Sequence, residues 1–150
     1  MNIRPAQPTD LPQLLQFEQG VIEAERPYNT DIRNQALYYD LNQLIADERS
    51  LLLVAEQNGV LVGSGYAQLR ESKPHLHHDF HSYLGFMYVK PAYRGQGVNR
   101  AIIDRLLAWS REKRATHCYL DVYAGNAAAV RAYEKAGFSN SLVEMKLRLE

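Results

Sequence analysis

The amino-acid sequence predicts an α/β fold, a mixed α+β sheet that carries helices on both faces. Short apolar runs bounded by turn residues alternate along the chain with segments whose apolar residues recur at helical spacing. The resulting element order is β-α-α-β-β-β-α-β-α-β. No repeat or linker divides the 150 residues, a length typical of one domain, so we expect residues 1–150 to form a single domain.

Each element follows from its local pattern. Thr9 and Asp10 offer an N-cap before an apolar helical face, Gln57-Asn58-Gly59 is typical of a hairpin turn, and Gly137 is a helix-ending residue. The expected elements, in order, are a strand over 3–6, a helix from 11, an irregular region over 18–34, a helix over 37–47, strands over 51–55, 60–69 and 83–89, a helix from 98 to about 114, a strand over 118–123, a helix over 126–136 and a final strand over 142–149.

The composition argues against several classes of protein. Apolar residues make up 46% and charged residues 23% of the chain, which is ordinary for a globular protein. The 17 basic and 17 acidic side chains cancel, so net charge draws the chain to neither nucleic acid nor a membrane. Cys118 is the only cysteine, which excludes an internal disulfide, and no apolar leader or long apolar stretch is present. We therefore expect a cytoplasmic protein.

The segment Arg94-Gly95-Gln96-Gly97-Val98-Asn99 indicates an anion-binding turn between a strand and a helix. Glycines two residues apart allow positive φ and let a ligand approach the backbone, because no Cβ stands in the way. The N–H groups of the turn and of the first helical turn then point toward one spot that suits a diphosphate. Arg94 and Arg100 add positive charge at its ends. Taken alone, the two glycines are equally typical of a tight turn without a ligand.

A second motif lies downstream of this turn. It consists of the strand Leu120-Asp121-Val122-Tyr123, Asn126 at a helix start, Tyr133 two turns later and the helix-ending pair Gly137-Phe138. Together with Val89-x-Pro91-x-x-Arg94-Gly95-Gln96-Gly97, this motif strongly resembles the GNAT family of N-acetyltransferases. The resemblance is sharp over residues 83–138 and compatible in element order elsewhere, so it covers essentially the whole chain.

The resemblance implies acetyl-CoA as co-substrate, held in a gap between two parallel strands that splay apart, here those ending near Val89 and Tyr123. The first strand pairs with the pantetheine arm, the glycine turn wraps the pyrophosphate, and Asn126 contacts the arm from the other side. Asn99 departs from the family's usual glycine or alanine, but Asn tolerates unusual backbone angles, so we expect binding to survive. The implied cofactor-binding residues are Met87, Tyr88, Val89, Arg94, Gly95, Gln96, Gly97, Val98, Asn99, Arg100 and Asn126.

The resemblance also implies that Tyr133 acts as general acid, with its hydroxyl pointing at the coenzyme sulfur. The attacking amine must lose a proton, because an alkylamine is charged at neutral pH. Many relatives use a glutamate on the strand before the glycine turn, whereas residues 83–89 contain no acidic residue. The alternatives for the base are His81, with Asp79 on the same face, and Glu18, Glu23 or Glu25 acting through water. Glu25 and Tyr28 are expected to contact the substrate.

Four of the five histidines lie in residues 75–81. A metal site there would need ligands that converge from one flexible loop, with no cysteine among them, so an exposed loop near the acceptor site is favoured and no metal is expected. Cys118 opens a predicted strand and is expected to be a small core residue, because direct transfer of the acetyl group needs no acyl-cysteine.

We therefore expect an acetyl-CoA-dependent N-acetyltransferase that moves an acetyl group to a primary amine of a small molecule or peptide by direct attack. A non-catalytic module that binds or senses acyl-CoA is the alternative, supported by the missing strand carboxylate and opposed by Tyr133. Transfer of a longer acyl group is a third interpretation. No nucleic-acid or membrane partner is expected. Relatives are commonly dimers, so the resemblance implies a homodimer whose interface the final strand and helix ends could supply.

Overall fold

The computed structural model describes residues 1–150 and contains a five-stranded sheet with helices on both faces, which confirms the mixed α/β class. The strands are β1 (Asn2–Pro5), β2 (Ser50–Gln57), β3 (Val60–Glu71), β4 (Phe80–Val89) and β5 (Cys118–Tyr119). The α-helices are α1 (Leu11–Glu25), α2 (Leu41–Ala46), α3 (Val98–Glu112) and α4 (Ala127–Lys135). The sheet order is β1-β2-β3-β4-β5, antiparallel except for the parallel pair β4 and β5. None of the helices combines the length and apolar character that crossing a membrane requires.

The two faces of the sheet carry separate apolar clusters. The face that we call the front packs against α1 and α2, with Phe17, Leu44 and Val54 in its cluster. The back packs against α3, with Leu53 and Ile102 in its cluster. The neighbours Leu53 and Val54 enter opposite clusters because successive side chains of a strand point to opposite faces. The apolar run of β2 is continuous because both of its faces are covered.

β4 and β5 pair only where they begin, through Ser82 with Cys118 and Tyr83 with Tyr119. The strand predicted over 118–123 is therefore shorter than expected, because residues 120–123 have no partner in the sheet. Beyond Tyr83, the edge of β4 faces an opening, which we call the β4–β5 gap. The predicted splay of the two parallel strands, β4 and β5, is confirmed.

A bulge in β4 lies beside this gap. The register between β3 and β4 shifts between Ser64 and Tyr66, and Phe86 adopts a left-handed φ of 56°. This conformation costs a non-glycine residue about 1–2 kcal/mol. The front cluster holds the buried Phe86 ring, and the Ser64 hydroxyl donates a 3.0 Å hydrogen bond to the Phe86 carbonyl. Because a bulge bends its strand, we infer that it helps β4 to diverge from β5.

The first helix is longer than the sequence predicts. The helical pattern was expected to fail at Glu18, but α1 continues through Gly20 to Glu25. A Cβ at Gly20 would lie 2.6 Å from an edge carbon of the Tyr88 ring, so the glycine makes room for a β4 side chain instead of ending the helix. The next helix is shorter than predicted and begins at Leu41, with Asp40 as its N-cap.

The final strand predicted over 142–149 does not form within the chain. Residues 139–150 contain no helix or strand, and their backbone groups make no hydrogen bond to other backbone groups. The alternation of apolar and polar residues is that of a strand, but a strand also requires an edge that accepts its hydrogen bonds. The segment is left exposed, and the order of elements ends at α4.

The start of α1 is anchored by a carboxylate. Asp10, which is buried, accepts hydrogen bonds from the Arg4 guanidinium at 2.8 and 3.0 Å and from the Gln7 N–H at 2.8 Å. The hydrogen bond from Arg4 holds the pKa of Asp10 below its usual range. Its stabilising contribution is therefore complete above the unfolded pKa of about 3.9 and is lost as the pH falls through the lower folded pKa.

We expect Asp10→Ala to lower the free energy of unfolding by about 2 kcal/mol at neutral pH, because it leaves charged donors without their acceptor. Urea unfolding at neutral pH and at progressively lower pH measures this, and the difference from wild type should shrink in acid. Asp104→Ala is the control, because Asp104 forms an exposed pair with Arg100 and should cost less than about 1 kcal/mol. If both variants lowered the free energy of unfolding equally, Asp10 would not be the anchor of α1 described above.

Candidate functional site

The candidate site surrounds the β4–β5 gap. Met87, Tyr88 and Val89, predicted to bind the coenzyme arm, lie at the end of β4; Tyr88 and Val89 pair with β3 on one side only, and Met87 lies in the bulge. The backbone edge of this stretch that faces away from β3 has no strand partner, so an extended ligand can hydrogen-bond to it as a neighbouring strand would. The Tyr88 ring packs on Phe17 of α1, with ring centres 5.0 Å apart, which fixes the strand at this point.

The glycine turn follows β4 directly and leads into α3. Gly95 and Gly97 both have left-handed φ values, 77° and 84°, and a Cβ at either position would meet no other atom within 4 Å. Their backbone conformation, and not crowding inside the protein, therefore requires glycine. Gly97 is the N-cap of α3, so the unpaired N–H groups of the first helical turn open onto the same exposed surface. This arrangement suits an anion.

The two arginines of the turn make different contacts. Arg94 donates a 2.9 Å hydrogen bond to the Val89 carbonyl, which ties the turn to the end of β4. Arg100 pairs with Asp104 at 2.9 Å and donates to the Lys135 carbonyl at 3.0 Å, which joins α3 to the end of α4. Val98 is buried in the back cluster, and the remaining predicted turn residues, Gln96 and Asn99, are exposed and half-buried respectively.

The opposite side of the gap is formed by the start of α4. Asn126 is the N-cap of this helix, and its side-chain oxygen accepts a 3.3 Å hydrogen bond from the Ala129 N–H. Tyr133 lies two turns further along α4 and packs edge-to-face on Phe138, with ring centres 6.1 Å apart. Burial, and to a smaller degree the charge of Glu25, raises the pKa of Tyr133 to about 12. The phenol therefore remains protonated at neutral pH.

Among the predicted bases, only Glu25 has a charge that contributes to the pKa shift of Tyr133. It is the last residue of α1, and its charge is near enough to raise the pKa values of Tyr133, Tyr38 and Tyr39. Burial raises the pKa of Glu25, and a hydrogen bond with Tyr38 partly offsets this. A half-buried carboxyl with a raised pKa is typical of a general base, because its proton affinity lies closer to that of neutral solution.

The other predicted acids have different surroundings. Glu18 is fully buried, and one of its oxygens accepts 2.8 Å hydrogen bonds from the backbone N–H groups of Tyr38 and Tyr39. It holds the chain that leads into α2. Glu23 is exposed and pairs with Arg26 at 2.8 Å. These contacts favour structural roles for both carboxylates.

His81 lies near the closed end of the β4–β5 gap, away from the groups described above. The Ser72 hydroxyl contacts Nδ1 of His78 at 2.6 Å and Nδ1 of His81 at 2.9 Å, and the Tyr119 hydroxyl contacts Nε2 of His78 at 2.9 Å. Burial, followed by the nearby charge of His78, lowers the pKa of His81. The histidine-rich segment is thus partly packed against β5. No group of three or more His, Cys, Asp or Glu side chains is arranged to hold a metal ion.

Several aromatic and charged groups at the front of the gap were not predicted as site residues. The Tyr83 hydroxyl donates a 2.8 Å hydrogen bond to Asp121, and the Arg70 guanidinium lies 3.9 Å from the centre of the Tyr83 ring. The Tyr123 ring stacks on the predicted substrate residue Tyr28, with centres 6.3 Å apart. Only the alternation of Tyr119, Asp121 and Tyr123 could have indicated their common face in advance.

Comparison with known proteins identifies this arrangement. The family model described as "Acetyltransferase (GNAT) family" matches residues 19–138, which include the second half of α1, the β4–β5 gap, the glycine turn and Tyr133. The chain belongs to the GNAT acetyltransferase family. This match confirms the resemblance predicted from the two motifs, and it accounts for the splay of β4 and β5 as a feature of a GNAT fold.

Individual relatives agree with the family assignment. This GNAT protein is 30% identical over 122 residues to an L-methionine sulfoximine/L-methionine sulfone acetyltransferase of Salmonella typhimurium, a match that covers 77% of the chain and 63% of that relative. It superposes on the structure of a mutant Bacillus halodurans protein with a TM-score of 0.90 and 22% identity over the whole of both chains. A predicted acetyltransferase of Clostridium acetobutylicum, solved with acetyl-CoA, matches with a TM-score of 0.77 and 20% identity over 98% of this chain and 95% of that one.

Proposed function

We propose that this GNAT protein transfers the acetyl group of acetyl-CoA to a primary amine of a small molecule or peptide by direct attack. The observation that carries the proposal is the pair formed by Glu25, a half-buried carboxyl with a raised pKa, and Tyr133, a phenol that keeps its proton and whose pKa the charge of Glu25 helps to raise. A proton acceptor and a hydrogen-bond donor are the two groups that the attack of an amine on a thioester requires.

The residues around the gap fit acetyl-CoA as co-substrate. The open space over Gly95 and Gly97, at the start of α3, suits the pyrophosphate, with N–H groups of residues 95–99 as donors. The unpaired edge of Met87 to Val89 suits the amide groups of the pantetheine arm. Asn126 uses its side-chain oxygen to cap α4, which leaves its amide nitrogen for the arm. Arg100 acts indirectly, by fixing α3 against α4.

The mechanism follows from the raised pKa of Glu25 and the protonated state of Tyr133. An ammonium group with a pKa of about 10.4 must lose its proton before attack, and Glu25 accepts it. The amine nitrogen then bonds to the acetyl carbonyl carbon as the carbon–sulfur bond breaks. Because the pKa of Tyr133 is about 12, above that of a thiol, the phenol stabilises the leaving thiolate by donating a hydrogen bond. Of the two protons that the ammonium group loses, one ends on the thiol and the other leaves through Glu25 to water.

The rim favours a cationic acceptor. Glu25 and Asp121 supply negative charge near the front of the gap, and the rings of Tyr28 and Tyr123 offer faces that attract cations. The Salmonella relative is named for the acetylation of a small amino compound, which supports a small-molecule acceptor. The free, half-buried Cys118 is consistent with the reducing environment of the cytoplasm, where we place the protein.

The direct test of this function is thiol release from acetyl-CoA in the presence of polyamines, aminoglycosides, amino acids and peptide N-termini. We expect turnover with at least one cationic amine and a transfer of one acetyl group for each thiol formed. Calorimetry of CoA binding runs in parallel. Tight CoA binding without turnover on any acceptor would contradict the enzyme and favour an acyl-CoA-sensing module.

Two glycine-to-alanine variants test the coenzyme site separately from the chemical step. Gly97→Ala should raise the Kd for CoA about tenfold or more, because a Cβ enters the space proposed for the pyrophosphate and strains a left-handed residue. Gly59→Ala is a matched control, since Gly59 also has a left-handed φ, 79°, and open space around its Cβ, but lies in the hairpin between β2 and β3. Calorimetry of CoA binding to folded samples decides: an equal change in Kd for both variants would contradict the assignment.

A further inference from the structure

Arg70, at the front of the β4–β5 gap, is a half-buried cation whose contacts are all neutral. Its Nε donates a 2.9 Å hydrogen bond to the side-chain oxygen of Gln68, and its Nη2 donates a 3.3 Å hydrogen bond to the Tyr66 hydroxyl. The guanidinium also lies over the ring of Tyr83, 3.9 Å from its centre. It forms no ion pair with a carboxylate, since Asp121, an acid at this front, accepts a hydrogen bond from the Tyr83 hydroxyl instead. No contacting group therefore compensates the positive charge of Arg70.

The free donors of Arg70 have the geometry that a carboxylate accepts. A guanidinium has N–H groups on Nε, Nη1 and Nη2, and in Arg70 only one on Nε and one on Nη2 have partners within the chain. The others lie on Nη1 and Nη2, a pair of nitrogens that can give a carboxylate two parallel hydrogen bonds. Gln68, Tyr66 and Tyr83 hold the guanidinium in place, so little side-chain freedom remains to be lost when an anion binds.

Tyr66 connects Arg70 to the wall of the gap. A Cβ at Gly85 would lie 2.5 Å from the Tyr66 hydroxyl oxygen, so this hydroxyl rests directly over the β4 backbone. Gly85 belongs to the stretch of β4 that lies beyond its pairing with β5 and faces the gap. Since the same hydroxyl accepts the hydrogen bond from Arg70, the guanidinium lies one side chain away from the gap.

A continuous row of tyrosine rings links this position to the proposed base. The Tyr39 ring packs edge-to-face on Tyr66, with centres 5.9 Å apart, and Tyr38 packs edge-to-face on Tyr39, with centres 5.7 Å apart. The side chain of Tyr38 in turn hydrogen-bonds with Glu25. A ligand that lies along this row thus meets a carboxylate at one end and the guanidinium of Arg70 at the other.

We propose that the acceptor of this GNAT protein is an amino acid-type molecule, with its ammonium group toward Glu25 and its carboxylate on Arg70. The inference rests on the proposed acetyl transfer and specifies its substrate class. At neutral pH both ends of such a molecule are charged, and each end faces the opposite charge. The amine nitrogen forms the amide bond as the carbon–sulfur bond breaks, with the proton transfers described above, whereas the carboxylate only positions the amine. A polyamine lacks this match, because it brings a second ammonium group toward the guanidinium.

Pairs of acceptors that differ only at the anionic end test the substrate class. Thiol release from acetyl-CoA is measured with α-amino acids and with ω-amino acids of increasing chain length, each beside its carboxamide, at equal concentrations of the free amine. We expect kcat/KM for the best acid to exceed that for its carboxamide at least about tenfold, because the carboxamide cannot form the ion pair. Equal rates for acid and carboxamide, or a preference for polyamines, would overturn the inference while leaving the acetyl transfer intact.

Substitution of Arg70 locates the effect. Arg70→Gln should raise KM for the best acid about tenfold or more, leave kcat within about threefold, and abolish the preference over the carboxamide. Arg70→Lys keeps the charge but loses the paired donors, so its KM should lie between those of wild type and Arg70→Gln. Arg105→Gln is the matched control, because Arg105 is exposed on α3, donates to the Ile3 carbonyl and should not affect KM. An unchanged preference for the acid in Arg70→Gln would overturn the assignment.

Binding measurements separate a failure of this inference from a failure of the proposed function. If no acceptor releases thiol, calorimetry of the same acids and carboxamides with the CoA complex still tests the site. We expect the acids to bind, and this binding to be lost in Arg70→Gln but kept in Arg105→Gln. Absent binding, or binding that does not distinguish acid from carboxamide, would overturn the inference. An unchanged Kd for CoA and an unchanged circular dichroism spectrum establish that the variants are folded.

Discussion

Tyr133→Phe is expected to lower kcat about 100- to 1000-fold, because it removes the hydrogen-bond donor to the leaving thiolate and little else. The ring keeps its edge-to-face contact with Phe138 and its place in the back cluster, so the fold and the Kd for CoA should change little. The stabilisation that the hydroxyl provides appears only as charge develops on sulfur. Steady-state rates of thiol release, together with calorimetry of CoA binding, measure the two effects separately.

Tyr119→Phe is the control for this experiment. This substitution also removes a hydrogen-bonding hydroxyl, but the partner of the Tyr119 hydroxyl is His78, at the closed end of the gap. Its kcat should stay within about threefold of wild type, a change of less than 1 kcal/mol in the barrier. Full activity of Tyr133→Phe would refute the role of the phenol while leaving the acetyl transfer itself intact. Equal losses in both variants would point to a general effect of hydroxyl removal.

Glu25→Gln is expected to lower kcat/KM about 100-fold near neutral pH, because no group then accepts the proton of the acceptor ammonium. The pH dependence gives the sharper test. Burial raises the pKa of Glu25, so wild-type activity should fall as the pH drops through this raised value and the carboxylate becomes protonated. In the variant, this fall in activity at acidic pH disappears. Its activity should instead rise with pH toward about 10, as the free amine forms without assistance.

This difference between the pH profiles of the wild type and Glu25→Gln is measured by steady-state rates across the pH range. The assay uses one acceptor whose own pKa is known. Glu23→Gln is the matched control, because Glu23 lies on the same helix but is exposed and pairs with Arg26. It should retain the wild-type profile. If Glu25→Gln shows the same fall in activity at acidic pH as the wild type, another group accepts the proton, and His81→Gln becomes the next variant to examine.

Local sequence patterns were sufficient for much of the fold. The hairpin turn at Gln57-Asn58-Gly59 and the glycine turn at 95–97 depend on backbone conformations that few other residues support, and the Asn126 cap depends on a side-chain oxygen that few other residues offer. All three could therefore be predicted from the sequence. Gly20 shows where local reasoning fails. As a helix breaker it predicted an irregular segment, but its missing side chain accommodates the Tyr88 ring of a strand that lies far away in sequence.

The residues of the candidate site also fall into those that local sequence patterns predict and those that they do not. The coenzyme side could be predicted because its residues are close in sequence and carry a motif. The proposed base, Glu25, could not be singled out from the sequence, because no spacing relates the end of α1 to Tyr133 on α4. Glu18 and Glu23 lie on the same helix and have the same chemistry as Glu25, but the folded chain gives them other partners.

The sequence by itself determined the mixed α/β class, the glycine turn and the two motifs that mark a GNAT acetyltransferase. Each of these depends on periodicity or on residues with special backbone properties, which are local. The tertiary structure decided which glutamate raises the pKa of Tyr133, how far β5 continues and whether 142–149 forms a strand. These outcomes depend on which groups lie side by side in space. An alternating segment can become a strand only where the edge of a sheet receives it, and within this chain 142–149 pairs with neither outer strand, β1 nor β5.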